Sequence, residues 1–591
     1  MKQIFLSVLG LAALAFGQSG ILIEAESFAQ KGGWKVDPQF VQQMGSPYLL
    51  AHGMGQPVAD ASTSVEIPEA GNYRVWVRTK NWVPGPWAAP GRFRVAVNGA
   101  PLTAEFGQCD GWGWEDGGTV ELPAGATSLV LQDLTGFDGR CDAIFLTRNE
   151  QVPPNEFTAL EAWRVRLSEQ PDMLPSAGEY DLVIIGGGMT GCAAALAADH
   201  QGMRVALIHD RMVLGGNASS EVRVHAEGIY GKNAQMLVPI STGHWPNGSA
   251  DALLDDERRH ETMEATENVK LMLGWRAFGV EMDGSKIVAV KARHIESDEA
   301  VTVSAPIFID CTGDGWIGFW AGADYRYGRE SRDEFGEGWE KHGELWSPKE
   351  PDNRVMGASL LWSSREAATP VAFPAVPWAL PVAKTHAAVH GEWYWEYSDH
   401  KMNAIDDAEA IRDHMLRAIY GSFFNAKQKT EYANSELEWV GYISGKRESR
   451  RLLGDYIYTL KDAASGTWFP DTVAREKRNI DVHYQRILKH ENQPDFLSEA
   501  NFWKAPEFYY IPFRTLYSRN IDNLMMAGRC FSCSHIGLGG PRVMKTCAQM
   551  GLATGYAASL CVQYDQSPRG VYEQHLDELR QLVGETAPPV K

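Results

Sequence analysis

Short runs of alternating apolar and polar residues, separated by glycines and prolines, make up the first quarter of the chain. The runs lie at residues 21–26, 63–67, 73–77, 93–97, 119–122, 128–131 and 143–146. A period of two residues, with turns such as Glu-Ala-Gly-Asn at residues 69–72, is typical of antiparallel strands. The pattern predicts an all-β sandwich over residues 18–150.

The pattern changes at Tyr180 to alternating strands and helices. An apolar strand at residues 181–185 is followed by a glycine turn, an alanine-rich helix and a second strand at residues 204–208. This βαβ order predicts an α/β, Rossmann-like, three-layer domain formed by residues 179–335 and 505–591, with an inserted domain at residues 336–504. Proline-rich residues 151–178, with one amphipathic segment near residues 160–167, are predicted to be a linker.

The chain begins with a basic residue, Lys2, and an apolar run over residues 4–16 that ends in Ala-Phe-Gly. This is the pattern of a secretory signal peptide, predicted here over residues 1–17, so we expect a secreted or periplasmic protein. No later segment has eighteen uninterrupted apolar residues, so no membrane span is predicted. A net charge of −20 argues against nucleic acid and anionic membranes as partners.

The cysteines predict little redox or metal chemistry. Cys109 and Cys141 are a plausible disulfide pair of an exported domain. The Cys530-Phe-Ser-Cys533 spacing suits a redox dithiol or half of a metal site, but no second such pair completes a cluster, and buried small residues are the favoured interpretation. No run of closely spaced cysteines is able to hold an iron–sulfur cluster, so none is expected.

The glycine turn after the first α/β strand has the spacing of a dinucleotide-binding loop. Gly186, Gly188 and Gly191 follow the strand at once and open a helix. Such glycines permit a tight turn and a close backbone approach to a diphosphate at the helix N-terminus. The residue expected to contact the ribose is an acid at the end of the second strand, where either His209 or Asp210 is available.

Further glycine-rich segments resemble those of the FAD-dependent oxidoreductase family: Leu-Gly-Gly-Asn-Ala-Ser-Ser-Glu at 214–221, Asp-Cys-Thr-Gly-Asp-Gly at 310–315 and Ala-Gly-Arg at 527–529. Segments 441–451 and 510–514 match it too, and the resemblance covers residues 179–565. It implies an FAD cofactor, and we expect the FAD to be bound without a covalent link because no histidine or cysteine stands in a recognised flavinylation motif. The implied cofactor contacts are Gly215, Gly216, Asn217, Gly313, Asp314, Gly528, Arg529 and Arg542.

The sandwich resembles galactose-binding-like, jelly-roll carbohydrate modules at residues 24–26, 71–78 and 141–146. The resemblance implies a structural calcium held by Glu24, Glu26 and Asp142, although Glu26 equally fits an ordinary surface carboxylate. Trp82 and Trp114 fall in expected loops. Two interpretations stay open for them, stacking on a glycan and packing against the catalytic domain.

Oxidation of an alcohol requires a base that takes the hydroxyl proton. His535, in a glycine-rich turn before the last cofactor helix, is the first candidate, and a structural contact to the flavin or the backbone is its alternative. His225 and Glu227, just after the second glycine turn, are further candidates. Arg447 and Tyr510 are placed on the substrate side, with an internal ion pair to Glu448 or Asp455 as the alternative for Arg447.

Together these features predict a secreted FAD-dependent oxidoreductase that oxidises a hydroxyl group of a sugar or glycan by hydride transfer to the flavin. The middle of the chain, rich in tryptophan, is expected to build the sugar cleft, and the electron acceptor is not identified. A flavin-dependent, redox-neutral glycosidase or polysaccharide lyase is the first alternative. A non-catalytic glycan-binding protein on a flavin fold is the second.

Overall fold

The computed structural model describes residues 20–168 and 173–586. The chain divides into two compact units, Met1–Leu174 and Pro175–Lys591. The predicted signal peptide lies outside the described residues. Within those residues no helix is both long enough and apolar enough to cross a membrane.

The first unit is the predicted antiparallel sandwich. One sheet has the order β2-β3-β10-β5-β8 with β1 also beside β10, the other has the order β4-β9-β6-β7, and every pairing is antiparallel. The strands are β1 (Gly20–Glu24), β2 (Lys35–Asp37), β3 (Tyr48–Ala51), β4 (Ala61–Ile67), β5 (Gly71–Thr79), β6 (Phe93–Val97), β7 (Ala100–Pro101), β8 (Gly113–Leu122), β9 (Gly125–Asp133) and β10 (Gly139–Thr147). The helices are α1 (Val41–Met44) and α2 (Phe157–Leu167).

Alternation of side chains fills the space between the two sheets. In β9, Leu129 and Leu131 are buried in the core, whereas Val130 between them is half-buried and Ser128 before them is exposed. Val65 and Ile67 of β4 face the same core. Successive strand residues point to opposite faces, so one register places all the apolar residues inside.

Helix α2 forms within the segment predicted to be a linker. The Glu156 side chain caps its N-terminus by accepting the N–H groups of Thr158 and Ala159. Leu160 is buried, and the ring of Trp163 meets that of Phe145 on β10 edge-on at 4.9 Å. This part of the segment is therefore an element of the sandwich unit.

The second unit contains the remaining elements. Its strands are β11 (Ser176–Glu179), β12 (Leu182–Ile185), β13 (Val205–His209), β14 (Val269–Leu273), β15 (Trp275–Asp283), β16 (Lys286–His294), β17 (Ala300–Ser304), β18 (Ile307–Asp310), β19 (Tyr325–Arg326), β20 (Ala358–Ser359), β21 (Trp362–Glu366), β22 (Glu396–Tyr397), β23 (Ser435–Val440), β24 (Gly445–Lys446), β25 (Arg451–Leu452), β26 (Thr472–Glu476), β27 (Ile480–Gln485), β28 (Ser498–Trp503), β29 (Tyr509–Pro512) and β30 (Leu524–Met526). Its helices are α3 (Met189–His200), α4 (Ala234–Leu237), α5 (Ala252–Glu264), α6 (Trp316–Ala321), α7 (Trp339–His342), α8 (Leu380–Ala383), α9 (Ala408–Lys427), α10 (Leu460–Ser465), α11 (Met544–Tyr564), α12 (Pro568–Gln574) and α13 (Leu576–Val583).

Three layers form the predicted Rossmann-like core. A parallel sheet of order β14-β13-β12-β18-β30 lies between α3 and α11 on one face and a sheet of order β11-β17-β16-β15 on the other. On β12, Leu182 and Ile184 face the helices, whereas Val183 and Ile185 face the second sheet. Strands buried on both faces read as continuous apolar runs, which is why residues 181–185 predicted this layer.

Two glycines of α11 allow it to pack closely on α3. A Cβ atom at Gly551 would lie 2.1 Å from the carbonyl oxygen of Thr190, and one at Gly555 would lie 2.3 Å from that of Ala194. The close packing fixes the position of the α11 N-terminus relative to the first glycine turn.

The middle of the chain, residues 336–504, lies within the second compact unit and is built from short antiparallel pairings around α9. Several of its tryptophans are core residues rather than cleft residues. The buried ones are Trp346, Trp362, Trp378 and Trp395.

Candidate functional site

The first glycine turn leaves an open backbone surface at the start of α3. A Cβ atom at Gly186, which has φ +105°, would lie 2.3 Å from the carbonyl oxygen of Cys311, and one at Gly191 would lie 1.9 Å from that of Gly186. At Gly188, by contrast, the nearest atom to an added Cβ would be Gly216 Cα at 4.0 Å. Gly188 is the N-cap of α3 and no side chain caps the helix. The turn therefore presents unbonded N–H groups and the positive end of a helix dipole.

The second glycine turn lies directly beside the first. The Gly215 N–H donates to the carbonyl oxygen of Gly187 at 2.8 Å, and Gly215 and Gly216 both have positive φ. The buried guanidinium of Arg259 donates to the carbonyl oxygen of Leu214 at 2.9 Å and fixes this turn. We call the two turns together the cofactor platform.

His209 belongs to the platform itself, which corrects its expected contact with a ribose. Its Nδ1 accepts the N–H of Gly187 at 3.1 Å, so Nε2 carries the proton and donates to the carbonyl oxygen of Val213 at 3.0 Å. Burial lowers the pKa of His209 to about 4, which keeps the ring neutral. Asp210 pairs with Arg276 at 3.1 Å and its side chain is 36% exposed, so the ribose contact of Asp210 stays a prediction.

Asp314 and Arg529 meet beside the platform. Asp314 accepts from Lys446 Nζ at 2.8 Å and from the Ser449 hydroxyl at 2.7 Å. Burial alone would raise the pKa of Asp314, but the charges of Lys446 and Arg529 hold it well below its usual range. Arg529 lies against Gly313, since a Cβ atom added at Gly313 would be 2.4 Å from the Nη2 atom of Arg529.

These residues fit the predicted FAD. The Nη1 group of Arg529 is buried and has no hydrogen-bond partner within residues 20–168 and 173–586, and the open surface at Gly188 is adjacent to the second turn. A free guanidinium N–H group and an uncapped helix N-terminus are donors that suit an anionic diphosphate. Gly528, with φ +86°, brings the Arg529 segment against Thr190 in the first turn of α3.

His535, the first candidate for the base, is completely buried. Its Nδ1 donates to the Glu448 carboxylate at 2.8 Å, its Nε2 lies 2.8 Å from the Tyr484 hydroxyl, and its backbone N–H donates to Glu330. Both ring nitrogens therefore have protein partners. The geometry assigns His535 to a buried hydrogen-bonded chain and not to a surface that a substrate reaches.

His225, the second candidate, lies on a segment that connects the platform to the start of α11. The Val224 N–H donates to the carbonyl oxygen of Asn217 at 3.0 Å, and the Lys545 N–H donates to that of Glu227 at 3.0 Å. His225 is half-buried and Glu227 is exposed. The segment therefore holds both candidate side chains between two elements of the cofactor site.

The environment of His225 selects one tautomer. Its Nδ1 lies 2.7 Å from the carbonyl oxygen of His244, and a carbonyl only accepts, so Nδ1 carries the proton. In the neutral ring Nε2 then keeps its lone pair, which has no partner among the residues that the structure describes. His244 is held in turn by Asp255, whose carboxylate is 2.6 Å from the ring. Burial opposes ionisation of Asp255, but the N–H groups of Gly243 and His244 keep its pKa below the usual value.

Sequence reasoning missed His244, Asp255 and Trp245. The ring of Trp245 meets that of His225 at 5.3 Å and 89°. None of the three lies in a recognised motif. Only the nearness of His244 and Trp245 to a second histidine in space marks them, and that nearness is a property of the fold.

The residues expected on the substrate side are mainly engaged within the protein. Arg447 pairs with Glu396 at 3.2 Å, so an internal ion pair exists, although with a different partner from the two considered. Arg542, which was expected to contact the cofactor, is also engaged and donates to the Asp481 carboxylate at 3.1 Å. Tyr510 is buried on β29 and packs against Trp468 at 4.8 Å, which corrects its expected contact with substrate.

The expected calcium site holds a guanidinium instead. Arg164 of α2 contacts Asp142 at 2.6 Å and Glu24 at 3.0 Å, and Arg78 also contacts Asp142 at 2.7 Å. Glu26 is buried beside them. Among the described residues no group of three or more histidine, cysteine or acidic side chains is suited to a metal ion, so the calcium expectation is not supported.

Other expectations for the sandwich are also corrected. Trp82 is buried and donates to the carbonyl oxygen of Phe137 at 2.9 Å, so it is not an exposed platform. Trp114 is half-buried and donates to that of Pro154 at 3.0 Å. All cysteines of the described residues are free thiols, including Cys109 and Cys141, so the expected disulfide is absent there. Cys530 and Cys533 are buried, as the favoured interpretation held.

Comparisons with known proteins agree with the cofactor geometry. The model of the family FAD dependent oxidoreductase matches residues 181–583. Aerobic glycerol-3-phosphate dehydrogenases of Staphylococcus haemolyticus and Staphylococcus aureus (strain COL) are 46% identical over 66 residues, 11% of this chain and only 12% of their own length.

Two solved structures give wider but weaker matches. A family 35 carbohydrate binding module from Clostridium thermocellum is 19% identical, with a TM-score of 0.18, over 22% of this chain and 98% of its own. A geranylgeranyl bacteriochlorophyll reductase-like protein from Thermoplasma acidophilum is 12% identical, with a TM-score of 0.32, over 69% of this chain and 86% of its own. Because the family model spans more than half of its length, the chain belongs to the FAD dependent oxidoreductase family.

Proposed function

We propose that the chain oxidises a hydroxyl group of a sugar or glycan outside the cytoplasm, with His225 as the base. The observation that carries this proposal is the free Nε2 lone pair of His225, which is half-exposed on the segment between the cofactor platform and α11. The resemblance of the sandwich to carbohydrate modules supports a sugar substrate, and the signal peptide predicted over residues 1–17 supports export.

The reaction needs a hydride acceptor, a proton acceptor and groups that position the proton acceptor. FAD, when bound, supplies the acceptor for the hydride that leaves the substrate carbon. Nε2 of His225 takes the hydroxyl proton, and the carbonyl oxygen of His244 keeps the other ring nitrogen protonated throughout. The positive imidazolium that forms is stabilised because its Nδ1–H already faces that carbonyl dipole. The Asp255 carboxylate holds the ring of His244 and thereby positions the loop that carries His244 beside His225.

The proposal is tested by anaerobic mixing of the flavoprotein with a glycan panel, while flavin bleaching and product size are both followed. A sugar that bleaches the flavin without a change in chain length is the expected result. Cleavage of the glycan without net bleaching would point to the redox-neutral glycosidase or lyase.

The role of His225 is tested by the same assay on substitutions. We expect His225→Ala to keep its FAD and to lower the rate of flavin reduction by about 10²–10⁴-fold. The matched control is His260→Ala, which removes an exposed side chain of α5 and should react like the wild type. An unchanged rate in His225→Ala would remove it as the base.

A further inference from the structure

Trp245 exposes an unusually large aromatic surface next to the candidate base. Its side chain is 65% exposed, whereas the other exposed aromatic residues in the described part of the chain range from 36% to 47%. An indole with this much exposure loses little of its water on folding, so burial does not explain why such a residue stands there.

The loop that carries Trp245 is held on both sides, so this exposure belongs to an ordered surface. On the N-terminal side, the Asp255 carboxylate accepts the N–H groups of Gly243 and His244 at 2.8 and 3.1 Å. On the C-terminal side, Asn247 accepts the His225 N–H at 2.8 Å, and the Gly248 N–H donates to the carbonyl oxygen of Arg223 at 2.8 Å.

The same contacts join Trp245 to the proton acceptor. The indole and the imidazole of His225 are perpendicular, with ring centroids 5.3 Å apart, and His225 donates through Nδ1 to the residue that precedes Trp245. Glu227, two residues from His225, has a side chain that is 52% exposed. An apolar ring face and a proton acceptor thus lie side by side, and the Glu227 carboxylate nearby in the chain is paired with Arg478 at 3.2 Å.

We infer that Trp245 is a stacking platform for a pyranose ring and places one of its hydroxyl groups beside Nε2 of His225. Pyranoses have an apolar C–H face that packs on an indole, and hydroxyl groups around the rim of the ring that reach neighbouring polar groups. This inference rests on the proposed function and narrows its substrate to cyclic sugars. An acyclic polyol offers hydroxyl groups but no ring face.

The test uses the full-length flavoprotein with four methyl β-pyranosides (gluco, galacto, manno and xylo) and cellobiose, and with sorbitol as the acyclic probe. Binding is followed by the flavin absorbance difference spectrum, because sugar bound elsewhere on the chain leaves that spectrum unchanged. At least one pyranoside should perturb the spectrum, and sorbitol should bind at least about tenfold more weakly.

We expect Trp245→Ala to weaken pyranoside binding about tenfold and Trp245→Phe to stay within about threefold of the wild type, since a phenyl ring keeps part of the stacking surface. Melting temperatures show whether each variant is folded. Phe278→Ala removes an exposed aromatic ring of β15 that packs on Arg293 and should not change binding. Equal affinity in Trp245→Ala and wild type, no perturbation by any pyranoside, or equal binding of sorbitol would each overturn the inference.

The His225→Ala variant distinguishes the binding of a sugar on Trp245 from the oxidation of that sugar. If it binds pyranosides normally and no longer reduces the flavin, both proposals hold. If the wild type binds a pyranoside through Trp245 and no glycan ever reduces its flavin, the stacking role of Trp245 is supported and the proposed oxidation is refuted.

Discussion

The guanidinium of Arg164 does the electrostatic work that a calcium ion was expected to do in the sandwich. It contacts Asp142 at 2.6 Å and Glu24 at 3.0 Å. Burial, and then the negative charges of Glu24 and Asp142, raise the pKa of Glu26 well above its usual value, which favours its neutral form. Two carboxylates then face two arginines, Arg164 and Arg78, and the group needs no further cation.

Arg164→Gln is therefore expected to destabilise the sandwich by about 3–5 kcal/mol, because it leaves buried carboxylates without their partner. The measurement is thermal unfolding with and without a chelator. Arg166→Gln, exposed on the same helix, is the control and should change little. A wild-type melting temperature that falls on chelation would contradict the assignment.

The buried carboxyl group of Glu337 should make the free energy of unfolding fall as the pH rises. Burial raises its pKa from 4.5 to about 8, although hydrogen bonds from Ser534 and the Leu460 N–H oppose the change. The folded state binds the proton of Glu337 more tightly than the unfolded state does. The protonated group therefore adds its full contribution to the free energy of unfolding below about pH 4.5, and this contribution is lost as the pH rises through 8.

Glu337→Gln keeps the acceptor oxygen and cannot ionise. We expect its free energy of unfolding to be flatter than that of the wild type between pH 5 and 8, by about 1 kcal/mol per pH unit. Urea unfolding across this range measures the difference, with the exposed Glu340→Gln as the control. Parallel curves for wild type and Glu337→Gln would refute the assignment.

The histidines show the limit of reasoning from sequence at this scale. His535 lies in a glycine-rich turn of the kind that faces a flavin, and this favoured it as the base. Its partners Glu448 and Tyr484 are 87 and 51 residues away in the chain, and they bury it. No local pattern reports such partners, so the choice between His535 and His225 required the fold.

At the scale of elements, the strand–turn–helix of the first glycine loop was predictable because its requirements are local. A tight turn with positive φ at Gly186 and close packing at Gly191 both demand glycine whatever lies elsewhere. The groups that lie around the glycine turns, Arg529 beside Gly313 and Lys446 beside Asn217 among them, come from distant segments of the chain. The family resemblance predicted a cofactor contact for Arg529, whereas the position of Lys446 and the ion pairs of both residues with Asp314 are known only from the structure.

Gly188 and Gly191 should respond differently to the same change. In Gly188→Ala the methyl group enters the open surface without a clash, so we expect a folded protein with at least about tenfold weaker FAD binding. In Gly191→Ala the methyl group would lie 1.9 Å from the Gly186 carbonyl oxygen, so we expect a lower melting temperature already without FAD. Flavin content and apoprotein melting measure the two effects. Full FAD binding by Gly188→Ala would show that the diphosphate lies elsewhere.

At the scale of the whole molecule, two chain patterns predicted two folds in the correct order. A period of two residues gave the sandwich, and buried apolar strands with a helix between them gave the parallel sheet. The place of α2 was not predicted, because its apolar side chains Leu160 and Trp163 show only that it packs on something. What it packs on is set by Phe145 and by the acidic cluster of β1 and β10.

The boundary of the sandwich unit is therefore expected after α2 and not before Pro153. A fragment of residues 20–168 should fold cooperatively, with the melting temperature unaffected by calcium. A fragment of residues 20–155 loses the Arg164 guanidinium together with Leu160 and Trp163, so it should be less stable by at least about 3 kcal/mol. Because Arg78 alone then faces the acidic cluster, calcium should raise the melting temperature of the shorter fragment only. Equal stability of the two fragments would show that α2 is a linker after all.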